Sequence, residues 1–185
     1  MAWFERTMAE FFLLLKAPLY EPEMWWIVAP LIAIVLVMTF YFGKYIREQL
    51  GWNTALGNSI VLFFICMDLL RTIYHYSSPP TFYQFLWNPM KTVVVIAVMF
   101  EGILLSATAF EHALPKQIMF FIASPVSVNT QAYVLAAVVY LQLVPSIYTL
   151  LAAILLFLVL FGLLRTLQEV EHLQRGYHFQ GKKTK

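Results

Sequence analysis

The sequence predicts an all-α integral membrane protein of about four transmembrane helices in a bundle, with interfacial segments and a long C-terminal helix that Pro145 can kink. Three observations carry this expectation. The 185-residue chain is 61% hydrophobic and 12% charged, whereas an ordinary soluble domain carries about 25% charged residues. Its apolar residues gather in runs of roughly 20, the length an α-helix needs to cross a ~30 Å hydrocarbon layer. The first such run opens with Trp25 and Trp26 and ends with Tyr41 and Tyr45, aromatic residues that favour membrane interfaces.

Residues 1–23 form an N-terminal interfacial segment. Glu5 and Glu10 precede a short FFLLL stretch, which is not the basic, apolar, small-residue order of a signal peptide, so the segment is expected to be retained. Residues 8–17 read as an amphipathic helix in the headgroup region, closed by Pro18 and an extended stretch from Tyr20 to Glu23.

The transmembrane bundle spans 24–165, with crossings at about 24–43, 55–76, 90–112 and 131–165. Pro30 lies in the second turn of the first crossing, where a missing backbone donor costs little. Residues 44–54 are a polar connection, and Asn53, Asn58 or Ser59 can cap the next helix. Ser77, Ser78, Pro79 and Pro80 end the second crossing, because paired prolines supply no donors and force an extended path. The aromatic stretch 81–89 is too short to cross and reads as an interfacial link. Between Pro115 and Pro125, KQIMFFIAS reads as a short interfacial or re-entrant piece.

Residues 131–165 carry no charge before Arg165, and at 1.5 Å per residue they rise roughly 50 Å. The piece before Pro145 is short for a crossing, which favours one long, kinked helix over two spans. Leu163, Leu167, Val170 and Leu173 continue a helical stripe into residues 166–185, an amphipathic stalk followed by a disordered basic tail.

The net charge of +2, with one dense basic cluster at Lys182, Lys183 and Lys185, gives no reason to expect a nucleic-acid partner. Cys66 is the only cysteine, so an intramolecular disulfide is excluded. With four crossings, Arg6, Lys16, Lys91, Arg165, Arg175, Lys182, Lys183 and Lys185 share one side, and Lys44, Arg47 and Lys116 the other. Eight basic residues against three places both termini in the cytoplasm.

Asp68, Arg71 and Glu101 are the informative polar residues, because each costs about 2.5 to 3.5 kcal/mol at mid-bilayer if unpaired. Asp68 and Arg71 are neighbours on one helix face, where a guanidinium fork can meet a carboxylate. They continue a stripe through Gly57, Val61, Phe64 and His75. The third crossing runs antiparallel, so Glu101 is expected at the depth of Asp68, completing one cluster of three. Two acids sharing one arginine cannot both be charged cheaply in a low-dielectric site, so one carboxylate is expected to hold a proton part of the time.

Gly102, Ser106, Ala109 and Ala113 form a small-residue face suited to close helix approach. Gln131, Gln142 and Thr149 share a face with Pro145, whose missing N–H frees the Leu141 carbonyl, so Gln142, Pro145 and Thr149 mark a hinge or polar lining. His75 and His112 fall at opposite membrane faces, which argues against haem ligation; no metal and no cofactor is expected. Ser77 and Ser78 beside His75 read as loop chemistry, and GWNTALG lacks the lysine of a phosphate-binding loop.

These features favour a non-catalytic subunit or assembly component of a larger membrane complex. Its partners would be the bilayer and either other membrane subunits or further copies of itself. A small oligomeric channel or proton-coupled transporter using Asp68 and Glu101 is the alternative, and a membrane-embedded enzyme acting on lipid is the third.

Overall fold

A computed structural model describes residues 2–44, 51–76 and 78–182; Tyr45, Ser77 and the terminal residues 183–185 lie outside the described residues. The elements are α1 (Ala2–Tyr20), a 3-10 turn (Pro22–Met24), α2 (Trp25–Lys44), α3 (Trp52–Tyr74), α4 (Tyr83–Trp87), α5 (Pro89–Phe110), α6 (Lys116–Ile122), α7 (Pro125–Tyr140) and α8 (Ile147–Lys182). The protein is an all-α, multi-pass integral membrane bundle. Among the described residues, five segments are long and apolar enough to cross a bilayer: Pro22–Tyr41, Trp52–Tyr74, Pro89–Phe110, Lys116–Tyr140 and Ile147–Leu167.

The sequence predicts about four crossings, and the described residues hold five candidate segments. The expected kinked helix over 131–165 is instead broken between Tyr140 and Ile147. Gln142 takes a left-handed conformation, with φ 55°, while the amides of Gln142 and Leu143 bond the carbonyls of Val139 and Val138. This is the double bond pattern that terminates many helices. Ser146 and Thr149 then cap α8 reciprocally: each backbone amide donates to the other's hydroxyl, at 3.2 Å in both cases. The length that the piece between 131 and Pro145 lacks for a crossing comes from α6, which joins α7 through Ala123 and Ser124 into one interrupted crossing.

Side-chain contacts fix which helix ends coincide. At the first end of the bundle the Tyr76 hydroxyl donates to the Val139 carbonyl, and Lys91 sits over the Tyr76 ring at 5.6 Å. At the second end Trp52 stacks on His112, centroids 4.2 Å apart, and meets Phe120 edge-on. The start of α3, the end of α5 and the start of α6 therefore meet there. Arg6 lies over the Tyr148 ring, which sets α1 beside the start of α8.

α7 is the central helix. Its buried residues include Val128, Ala132, Leu135, Ala136 and Val139, which pack against Leu14, Val28, Leu62, Leu69 and Ala152 from α1, α2, α3 and α8. Its abundance of alanine and valine lets neighbouring backbones come close, which drives helix association where lipid removes the hydrophobic incentive.

α1 corrects a second expectation, because it runs through Pro18 to Tyr20 rather than closing there. A proline at 18 cannot donate to the Leu14 carbonyl. The Tyr133 hydroxyl of α7 donates to that carbonyl instead, at 2.8 Å. Pro18 itself is buried, so the site of the missing donor is packed as well as bonded. At the other terminus α8 extends to Lys182.

Tyr133→Phe is expected to leave the Leu14 carbonyl without a donor and to lower stability by about 1–3 kcal/mol. In a Pro18→Ala background residue 18 regains its N–H, and the cost of Tyr133→Phe should shrink by about 1 kcal/mol or more. Reversible denaturant unfolding of the four variants in lipid–detergent micelles measures this; an unchanged cost would show that the hydroxyl serves another purpose.

Candidate functional site

α3 carries two faces. Ala55, Ser59, Leu62, Cys66, Leu69 and Ile73 recur at three- and four-residue steps and are buried. Gly57, Val61, Phe64, Asp68, Arg71 and His75 recur in the same way on the opposite side, and every one is exposed or half-exposed. The inner face meets α5 and α7, and the outer face lies on the opposite side of the helix.

On the outer face Arg71 donates to Asp68 twice, from Nη2 at 2.6 Å and from Nε at 3.0 Å, both bonds ending on Oδ1. The side chains are 69% exposed for Arg71 and 37% for Asp68. Asp68 lies six residues before the end of α3 at Tyr74, a rise of about 9 Å, which places it within the hydrocarbon layer. Arg71 does not extend toward the nearer membrane face. Helical side chains lean toward their own N-terminus, and here that direction draws the guanidinium deeper, onto the carboxylate.

Glu101 belongs to a different constellation. It is half-buried on α5 and accepts a hydrogen bond from Gln131 Nε2 of α7 at 3.2 Å, while Gln131 Oε1 is buried without a donor. The expected cluster of Asp68, Arg71 and Glu101 is thus divided into an outward ion pair and an inward acid–amide contact. Register and rotation explain the division. Gly102 lies against the Ser59 carbonyl and the Phe63 amide, so Glu101 sits more than a turn below Asp68. Asp68, two residues past the buried Cys66, points to the other side of α3.

Gly102 makes the closest approach of the small-residue face to α3. A Cβ on Gly102 would stand 3.2 Å from the Ser59 carbonyl oxygen and 3.3 Å from the Phe63 nitrogen, so only glycine permits this approach without displacement. Ser106 bonds the Gly102 carbonyl on its own helix at 2.8 Å, and Ala109 is buried. Ala113 lies past the end of α5 and is exposed. Gln142 and Pro145 fall in the α7–α8 turn and Thr149 in the first turn of α8, so these three shape a helix boundary rather than a hinge within one helix.

Sequence reasoning missed the polar knot where α6 meets α7. Pro125 cannot donate to the Phe121 carbonyl, and the Ser127 hydroxyl does so at 2.8 Å. Ser124 caps α7 by accepting from the Ser127 amide at 3.1 Å. Asn58 of α3 donates to the Ala123 carbonyl at 2.8 Å. The Ser-Pro dipeptide with a serine three residues after the first is the signal that could have marked a helix start here. Asn58 gave no such signal, because a lone asparagine reads equally well as a cap for its own helix.

Among the described residues, no three His, Cys, Asp or Glu side chains come together as metal ligands. No protein family, curated protein or solved structure matches this chain.

Gly102→Leu is expected to push α5 from α3 and cost about 1–3 kcal/mol. Gly162→Ala, where a Cβ meets nothing within 4 Å, should change stability by less than about 0.5 kcal/mol. Denaturant titrations of the two variants side by side test the contrast, and equal effects would remove the α3–α5 contact from the account.

Proposed function

We propose that this protein is a non-catalytic structural or assembly component of a larger membrane complex, and that it docks laterally through the outer face of α3. The observation that carries this reading is the Asp68–Arg71 pair, held inside the α3 span on the exposed and half-exposed face opposite the buried one. Charged side chains in a membrane face protein or water almost without exception. An ion pair turned away from its own bundle is therefore a site for another protein. The alternative of a proton pathway through Asp68 and Glu101 draws less support, since one group points outward and the other into the α5–α7 contact.

The experiment is native mass spectrometry of the particle released from its membrane in lipid nanodiscs. Wild type is expected at a mass well above that of one chain, with stoichiometric partner. D68L/R71L, which turns the outer face into one that lipid accepts, is expected at the mass of one chain. A monomeric wild type, or a complex indifferent to D68L/R71L, would overturn the reading.

We propose the orientation from the five candidate crossings. Lys44, Arg47, Lys116, Arg165, Arg175, Lys182, Lys183 and Lys185 then share the second end of the bundle, against Arg6, Lys16 and Lys91 at the first. Eight against three makes the second end cytoplasmic by the excess of basic residues in cytoplasmic loops. The termini accordingly lie on opposite sides, in place of the shared cytoplasmic side that four crossings imply. Tags placed at the two termini should show opposite protease accessibility in sealed vesicles, with the C-terminal tag on the cytoplasmic side; like accessibility would require an even number of crossings.

A further inference from the structure

We infer that the outer face of α3 binds the same face of a second copy of this chain, with each copy's Arg71 completing the hydrogen bonding of the other's Asp68. This rests on the reading of α3 as a docking face and names what docks there.

The intrahelical pair is incomplete. Arg71 Nε and Nη2 both converge on Asp68 Oδ1, and among the described residues no hydrogen bond reaches Asp68 Oδ2 or leaves Arg71 Nη1. A carboxylate accepts at both oxygens and a guanidinium carries five donors, and in hydrocarbon unused valences of this kind are costly. A partner must therefore offer a donor and an acceptor together.

The second copy offers both by symmetry. Three residues turn an α-helix through about 300° and raise it by about 4.5 Å, so Asp68 and Arg71 straddle the midline of the face. A two-fold axis along the membrane normal then sets Asp68 of one copy beneath Arg71 of the other, and the reverse. A patch that carries both signs and no net charge is self-complementary, which an isologous interface requires. The remainder of the face suits close approach: Val61 and Phe64 are exposed and apolar, and nothing stands within 4 Å of the position a Gly57 Cβ would take. An unrelated helix would need its own acid and base in this same arrangement.

The test is the charge exchange D68R/R71D, which keeps an ion pair on every chain. Copies bearing two different fluorophores are reconstituted in vesicles, and energy transfer reports association. D68R/R71D copies are expected to associate with one another as wild-type copies do. Mixed with wild type they should associate at least about tenfold more weakly, because acid then meets acid and base meets base. Free mixing of the two forms would overturn the inference, since the pair would then face lipid. Loss of self-association by D68R/R71D alone would overturn it too, since the face would then require a partner other than its own copy. If wild-type copies do not associate while the native particle still holds unrelated proteins, this inference falls and the docking reading stands. If the native particle holds none, both fall.

Discussion

Backbone carbonyls that lose their helical donors inside a bilayer have no water to turn to, and this structure is organised around supplying them. Around α7 four carbonyls at helix ends and interruptions accept hydrogen bonds from side chains, two of them, Val139 and Phe121, alongside a backbone amide. Tyr133 of α7 serves Leu14 of α1, and Tyr76 of α3 serves Val139 at the end of α7. Asn58 of α3 serves Ala123, and Ser127 of α7 serves Phe121 of α6. Two of the four carbonyls are released by prolines and two by helix ends. Each bond between helices fixes a relative height that apolar packing alone leaves open, because one leucine contact in lipid is worth much the same as another.

This explains why α7 can be interrupted from α6 within one crossing without an exposed break. Irregular backbone is tolerated at such depth only where protein covers it. Here Ser124, Ser127 and Asn58 supply both donors and acceptors across the gap. The central position of α7 follows from the same requirement. A broken helix must be surrounded, and α7 is surrounded by α1, α2, α3 and α8.

Composition and run length sufficed for the membrane class and for the first three crossings, because hydrocarbon thickness is a strict ruler. The later chain was harder to read because proline has two meanings. Pro125 opens a helix at its first turn, while Pro145 sits in a turn between helices, yet in sequence both interrupt an apolar run. The stop at Gln142 lacks the glycine that usually marks a left-handed helix end. The stripe of Gly57, Val61, Phe64, Asp68, Arg71 and His75 was legible as a face, but not as an outward one. In water a polar stripe faces solvent and an apolar one the core; in lipid both faces of α3 are mostly apolar, and only the partner helices decide which is inside. Glu101 was misplaced for a related reason. Its depth depends on how far α5 slides along α3, and that is set by the contact of Gly102 with Ser59 and Phe63.

The outward pair also differs from a lone buried charge in how the chain can be built. An isolated Asp or Arg on the outside of α3 would need its partner at the moment of insertion. With Asp68 three residues before Arg71, the helix carries its own counter-charge, and the basic member lies toward the C-terminus, where the helix dipole favours it. α3 can therefore enter the bilayer as a neutral unit. What remains after insertion is a set of unused hydrogen-bonding valences, weaker than a bare charge but directional. On the docking reading proposed above, the carbonyl bonds serve the packing of the bundle on α7 and the outer face of α3 serves assembly.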